Sequence, residues 1–192
     1  YMDLVKTAAS QLLAVEKTSG KDTYTITLAD EVTYGNSTDK KDTFDKVAAD
    51  VSDLIGLKVK VLVKAKANGN YDVYGVYADD DSKVLASGTV GQLDEVKGKD
   101  TKIELNGTEY KTDEKVTATD VLFPNNKTVP TAINKLDALR GARADYAAYS
   151  IKLIDNNGDG KIDDAVYTPV KVGKVTAVTK TAVTVNSGIN TV

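Results

Sequence analysis

Apolar and polar residues alternate along this chain in short runs: Tyr24–Leu28 (YTITL), Lys58–Val63 (KVKVLV), Thr101–Leu105 (TKIEL), Ser150–Ile154 (SIKLI) and Ala182–Val185 (AVTV). A period of two, rich in Val, Ile, Thr and Tyr, predicts strands with one face buried. Asn-Gly and Gly-Asn pairs at 68–70, 106–107 and 157–158 punctuate the runs as turns. Two stretches have helical spacing instead. In Thr43–Ile55, Phe44, Val47, Ala48, Val51, Leu54 and Ile55 recur on one helical face behind Asp42 or Thr43 as a cap. A second helix is expected over Thr131–Leu139, with Pro130 at its first position and Gly141 just past its end.

The pattern recurs. GKDTYTITL begins at Gly20 and GKDTKIEL at Gly98, 78 residues later. A weaker third copy, TKTAVTVNSG, begins at Thr179. Similar lead-ins precede the copies: SQLLAVEK at 10–17, GQLDEVK at 91–97 and GKVTAV at 173–178. Later in each unit comes a Gly (Gly56, Gly141), then a strand, a Gly/Asn turn and a strand ending Val-Tyr (Val76-Tyr77, Val166-Tyr167). A Gly-x-Val strand start follows (Gly88–Val90, Gly173–Val175). The expectation is two related units, 1–92 with helix 43–55 and 93–192 with helix 131–139. The strand from about 174 closes the second unit or opens a third. The expected class is mainly β with one short helix per unit, a β-rich α+β chain. Each unit would be a small Greek-key barrel or sandwich, OB-like in kind.

Composition narrows the chemistry. The 192 residues contain no Cys, His or Trp. The usual zinc and copper ligands and the thiol and imidazole nucleophiles are therefore missing. A net charge of −3 argues against a general nucleic-acid binder. No apolar run approaches the roughly 20 residues that span a bilayer, so no membrane insertion is expected. The chain begins YMDLV, which reads as a processed or excised piece of a longer protein.

The densest candidate is DNNGDGKIDDAVY, 155–167. Read as a calcium loop, Asp155, Asn157 and Asp159 occupy positions 1, 3 and 5, Gly160 makes the sharp turn at 6, Lys161 offers its carbonyl at 7, and Asp163 stands at 9. Calcium takes six to eight hard oxygens, and alternate residues of a tight loop aim theirs inward. Position 12 is Val166 rather than a bidentate Glu, so Asp163 or Asp164 would have to supply the missing carboxylate. The flanks alternate as strands, so this is not an EF-hand. The competing reading is a polar hairpin whose Asp and Asn bond their own backbone. The equivalent turn of the first unit, within 64–74, keeps Asn, Gly and Asp72 but has no acidic triplet. The turn therefore forms without the carboxylates, which favours a local role for them here.

Other candidates carry less. Asp79-Asp80-Asp81 reads as a solvated turn, and the acid pairs Asp94-Glu95 and Asp113-Glu114 read as surface charge rather than a glycosidase pair. Lys58, Lys60, Lys64 and Lys66 line one sheet face, solvated or polyanion-binding. Tyr146, Tyr149 and Tyr167 form either a sugar platform or cross-strand packing. Asn36, Asn106 and Asn126 begin Asn-x-Ser/Thr triplets.

The tandem β units, the Asp/Asn/Gly hairpin and the following VGKVTAV resemble repeat segments of surface-layer (S-layer) and related wall-anchored proteins of Gram-positive bacteria. The resemblance covers most of 10–188, and the wall-anchoring modules of that family are absent from the sequence. It implies secretion to the cell surface, assembly with other copies of the chain in a lattice, and often structural calcium. Cell-wall polysaccharide would be bound through regions not present here. The expected function is a non-enzymatic structural segment. The alternatives are a glycan- or protein-binding module of an adhesin or wall-associated enzyme, and a phage tail or fibre repeat.

Overall fold

A computed structural model describes residues 4–35, 38–66, 69–125, 127–128, 130–170, 174–180 and 183–186. Asn36, Asn68, Asn126, Gly173, Thr181 and Ala182 lie outside the described residues. The architecture is mainly β. The first strands are β1 (Leu4–Lys6), β2 (Ser10–Lys17), β3 (Tyr24–Thr33), β4 (Lys40–Val47), β5 (Lys58–Ala65) and β6 (Tyr71–Ala78). They form one antiparallel sheet in the order β1-β5-β2-β3-β4, with β6 on the other side of β5. Its end strands meet, because the Tyr71 hydroxyl of β6 accepts the Asp45 N–H of β4 at 3.1 Å.

Next come β7 (Lys83–Thr89), β8 (Leu93–Glu95), β9 (Lys102–Leu105), β10 (Thr108–Lys111) and β11 (Val121–Leu122), then helix α1 (Leu136–Gly141), β12 (Ser150–Asp155) and β13 (Asp164–Thr168). They make a sheet β10-β9-β8 and a sheet β11-β13-β12-β7. Strands β14 (Lys174–Val178) and β15 (Val183–Asn186) pair with each other. β7, placed in the first unit by the sequence, is hydrogen-bonded to β12. β1 stands in the same relation to β5, antiparallel on the side away from the hairpin partner. The turns after β2 and β8 also match. Lys21 N–H reaches Thr18 O at 3.1 Å and Lys99 N–H reaches Val96 O at 3.0 Å. Gly20 and Gly98 hold φ of +69° and +70°.

The expected helix Thr43–Ile55 does not form. Phe44 and Val47 are both buried in β4, while Asp45 and Lys46 between them are exposed. The register explains this: Tyr24 faces Val47 and Ile26 faces Phe44, so β4 carries one extra residue and Lys46 takes φ +62°. A β-bulge thus spaces two core residues three apart and imitates a helical period. Beyond it only the single 3₁₀ turn Ser52–Leu54 is helical, with Asp50 accepting the Ser52 N–H at 3.0 Å. The second helix is also altered. A 3₁₀ turn covers Thr131–Ile133, Lys135 is extended, and α1 then runs to Gly141, which is its last residue rather than its stop signal. Lys135 bridges to Asp120, which breaks the helix while Ile133, Leu136 and Leu139 still reach the core.

Two hydrophobic cores result. Leu12, Ile26, Leu28, Phe44, Val59, Val61 and Val63 centre the first, and Leu93, Ile103, Leu105, Leu136, Leu139, Ile151 and Leu153 the second. The hairpin β12–β13 serves both. Ile154 and Val166 pack in the first core, while Leu153, Ala165 and Tyr167 pack in the second. A hairpin buried on both faces accounts for the unbroken apolar stretches Leu153-Ile154 and Ala165–Tyr167. Gly56 makes the close approach possible. A Cβ there would lie 2.3 Å from Val166 Cγ2, and its φ is +94°.

The acidic hairpin loop as candidate site

The loop joins the end of β12 to the start of β13. Asp155 is fully buried at its base. Its Oδ1 accepts the N–H groups of Asn157 (3.1 Å) and Gly158 (2.7 Å), and its Oδ2 accepts that of Gly160 (2.8 Å). Asn157 Oδ1 accepts the Asp159 N–H at 3.0 Å, and Asp159 Oδ1 the Lys161 N–H at 2.8 Å. Three side-chain-to-backbone turns therefore follow one another at positions 155, 157 and 159. Gly158 and Gly160 supply the left-handed conformations, φ +79° and +81°.

Positive charge reaches these carboxylates from two lysines. Lys161 Nζ contacts Asp159 at 2.6 Å and Asp113 at 3.0 Å, and Lys83 Nζ lies 3.5 Å from Asp155. Burial would raise the Asp155 pKa, but the N–H groups of Gly160, Asn157 and Gly158, with Lys83, outweigh it and hold the carboxyl below its ordinary value. The Lys161 ammonium lowers Asp159, and Asp159 with Asp113 raises Lys161 in return. Burial, with the carboxylates of Asp113, Asp155 and Asp159, raises Asp163 against the Asn156 N–H, which donates to it at 2.6 Å.

Of the residues assigned to calcium, Asp155, Asn157, Asp159 and Lys161 are linked in succession, Lys161 through its N–H and ammonium. Asp163 joins them, accepting Asn157 Nδ2 at 3.0 Å. Asp164 belongs elsewhere. Its Oδ2 accepts Asn156 Nδ2 at 2.7 Å and Gln11 Nε2 of β2 at 3.0 Å. Burial raises its pKa, as do Asp163 and Asp120, against the two amides. Among the described residues no group of three or more His, Cys, Asp and Glu side chains is disposed to hold a metal ion.

The residue the sequence reading passed over is Asn156, 4% exposed. Its Nδ2 donates to Gly56 O at 3.0 Å as well as to Asp164, and its Oδ1 accepts the Lys58 N–H at 3.0 Å and the Ser82 hydroxyl. One side chain therefore links β13, the start of β5 and the turn after β6. The available signal was its position: it directly continues the doubly buried run Leu153–Asp155, where a polar side chain needs partners.

The minor candidates resolve into pairing. Lys60 pairs with Asp79 and Lys66 with Asp72, which occupies half of the lysine stripe. Asp94 and Glu95 are held by Arg143 and Arg140 at 3.0 and 2.9 Å. No helix among the described residues is long and apolar enough to cross a membrane. Comparison with family models, with curated proteins and with solved structures gave no match to this chain.

Proposed function

We propose that the chain is a non-enzymatic structural segment of an exported bacterial surface-layer protein, built from two related β units locked together. The observation that carries this reading is the Asn156 clasp on a hairpin shared by two cores. A load passed along such a chain meets hydrogen bonds and apolar packing at the junction rather than a loose linker. The matching turns at Gly20 and Gly98 support repetition, and the sequence resemblance supports the surface location. Electron microscopy of the purified chain tests it. Ordered two-dimensional arrays are expected, and a monodisperse monomer under every assembly condition would count against the reading.

Calcium enters as a second stabiliser of the same loop, favoured by the spacing of Asp155, Asn157 and Asp159 at alternate positions of the sequence. An ion there would take the place of the Lys161 ammonium on Asp159 and screen Asp163. The melting temperature should then climb with calcium, by about 2.7 kcal/mol of stabilisation at a hundredfold excess over Kd, and Asp159→Ala should remove most of the climb. A flat response at millimolar calcium assigns neutralisation of the loop to Lys161 and Lys83 alone.

A further inference from the structure

Among the described residues there are two aromatic clusters, and one of them is closed. In the first unit, Tyr34, Phe44 and Tyr71 meet edge-on with centroids 5.4 to 6.0 Å apart. Each hydroxyl there has a partner: Tyr34 donates to Gly69 O at 3.1 Å and Tyr71 to the Asp45 carboxylate. The Lys41 ammonium caps the cluster 4.2 Å from the Tyr71 centroid. All of its polar atoms are used, as structural packing requires.

The second cluster differs on every count. Tyr146, Tyr149 and Tyr167 pack with centroids 5.5 to 5.9 Å apart, and Phe123 stacks on Tyr167 at 5.4 Å. They line a pocket of about 370 Å³ with Ile133 and Asp145, within the size range of small-molecule sites. Tyr167 and Tyr149 are 3% and 9% exposed, yet neither hydroxyl, nor that of Tyr146, bonds to another described residue. All three tyrosines line the pocket. A buried tyrosine ordinarily finds a partner for its hydroxyl. Among the described residues no cation lies over these rings, and Asp145 has no ion pair.

We propose that this pocket binds the pyranose ring of a neutral sugar, its C–H face laid on Tyr146 and Phe123 and its hydroxyls paired with the phenols of Tyr149 and Tyr167 and the carboxylate of Asp145. Three phenol oxygens that bond to no described residue select a ligand rich in hydroxyls. A quaternary ammonium would satisfy the ring faces and Asp145 but leave the phenols unpaired, and an aliphatic ligand would leave all of them unpaired, at a desolvation cost. An acidic sugar would meet Asp145 with no cation in the pocket to offset it. The inference stands apart from the surface-assembly reading, since either holds without the other.

The test is an aromatic-resolved NMR titration of the whole chain with methyl glycosides of glucose, galactose and N-acetylglucosamine and their β1,4-linked trimers. Tetramethylammonium is the control. Saturable shifts confined to Tyr146, Tyr149, Tyr167 and Phe123 are expected with at least one sugar. Tyr167→Phe removes one neutral hydrogen bond, so it should weaken binding about three- to tenfold. It should melt like the parent, because the lost hydroxyl bonds to no described residue. Tyr34→Phe in the closed cluster should leave binding unchanged. Silence from every glycoside at tens of millimolar overturns the proposal. So does a response to tetramethylammonium alone, and so does unchanged affinity in Tyr167→Phe.

Discussion

Replacing Asn156 by Ala removes four hydrogen bonds at once, to Gly56 O, Asp164, Lys58 N–H and the Ser82 hydroxyl. Three join neutral partners at about 1 kcal/mol each, and the one to a carboxylate is worth about 1.5 to 3. The simple sum is about 5 kcal/mol. The structure lowers it, because each partner keeps a second contact. Gln11 Nε2 still reaches Gly56 O (2.9 Å) and Asp164 (3.0 Å), and the Ser82 hydroxyl still accepts the Lys58 N–H (3.0 Å). Of the four partners, the Ser82 O–H loses its acceptor while its oxygen still accepts Lys58 N–H, so the orphan penalty is confined to one hydroxyl proton. The expected loss is about 3 kcal/mol, a fall in melting temperature of about 6 to 12 °C for a chain of this size. The neighbouring Asn157 is exposed and serves as the control, since water replaces its bonds; Asn157→Ala should cost under about 1 kcal/mol. Urea unfolding followed by far-ultraviolet circular dichroism and tyrosine fluorescence measures both variants. Asn156→Ala should also separate the two probes into distinct transitions, because it loosens the coupling between the cores. A cost as small as that of Asn157→Ala, with one coincident transition, would refute the clasp.

Gly56→Ala places a Cβ against Val166 and Ile154 at a positive φ. Backbone strain and overpacking together should cost about 2 to 4 kcal/mol, read as a lowered urea midpoint. Gly20→Ala and Gly98→Ala meet open space at the same φ, so each should cost about 1 kcal/mol, and equally; unequal midpoints would deny that the two turns are equivalent. Asp164 has a raised folded pKa, so the folded state holds its proton more tightly than the unfolded chain. Its contribution is present below about pH 4, the unfolded value, and is lost as pH rises through the raised value. Asp164→Asn should therefore match the parent at pH 3 and equal or exceed it at pH 7 in urea titrations. Asp155 has the opposite sign: its lowered pKa contributes stability above about pH 4 that disappears on acidification through the folded value. Asp155→Asn should thus flatten the acid limb of the stability curve.

The strands were legible where one face is buried, as in Lys58–Val63, because alternation is then enforced by the core. The loop was legible as a junction between strands because SIKLI and AVY resist a helical period. The helix at Thr43–Ile55 misled because a bulge at Asp45-Lys46 shifts Val47 onto the Phe44 face, and a period of three then mimics a helix locally. Asp164 was grouped with the loop carboxylates because sequence adjacency hides direction. In a strand, neighbours point to opposite sides, so Asp163 turns to the loop and Asp164 to Gln11. The role of Asn156 was hidden beyond its position after Leu153-Ile154, because its partners Gly56, Lys58 and Ser82 lie 74 to 100 residues away.

The hairpins β5–β6 and β12–β13 differ in what their register must serve. The β5–β6 hairpin belongs to the first core alone, and its turn needs no more than to reverse the chain. The β12–β13 hairpin must place alternate residues in two cores at once, so a slip of one residue would exchange Leu153 with Ile154 and Ala165 with Val166 between them. Beside the loop such a hairpin has little intrinsic preference for either register, because Leu153 and Ile154, like Ala165 and Val166, are apolar neighbours on opposite faces. Register must then be fixed from the ends. Asp155, tied to three backbone N–H groups, fixes one end of the loop, and Asn156 ties the same end to the first unit. The side chains that tie down the loop backbone are therefore placed where a register error would disrupt both cores together.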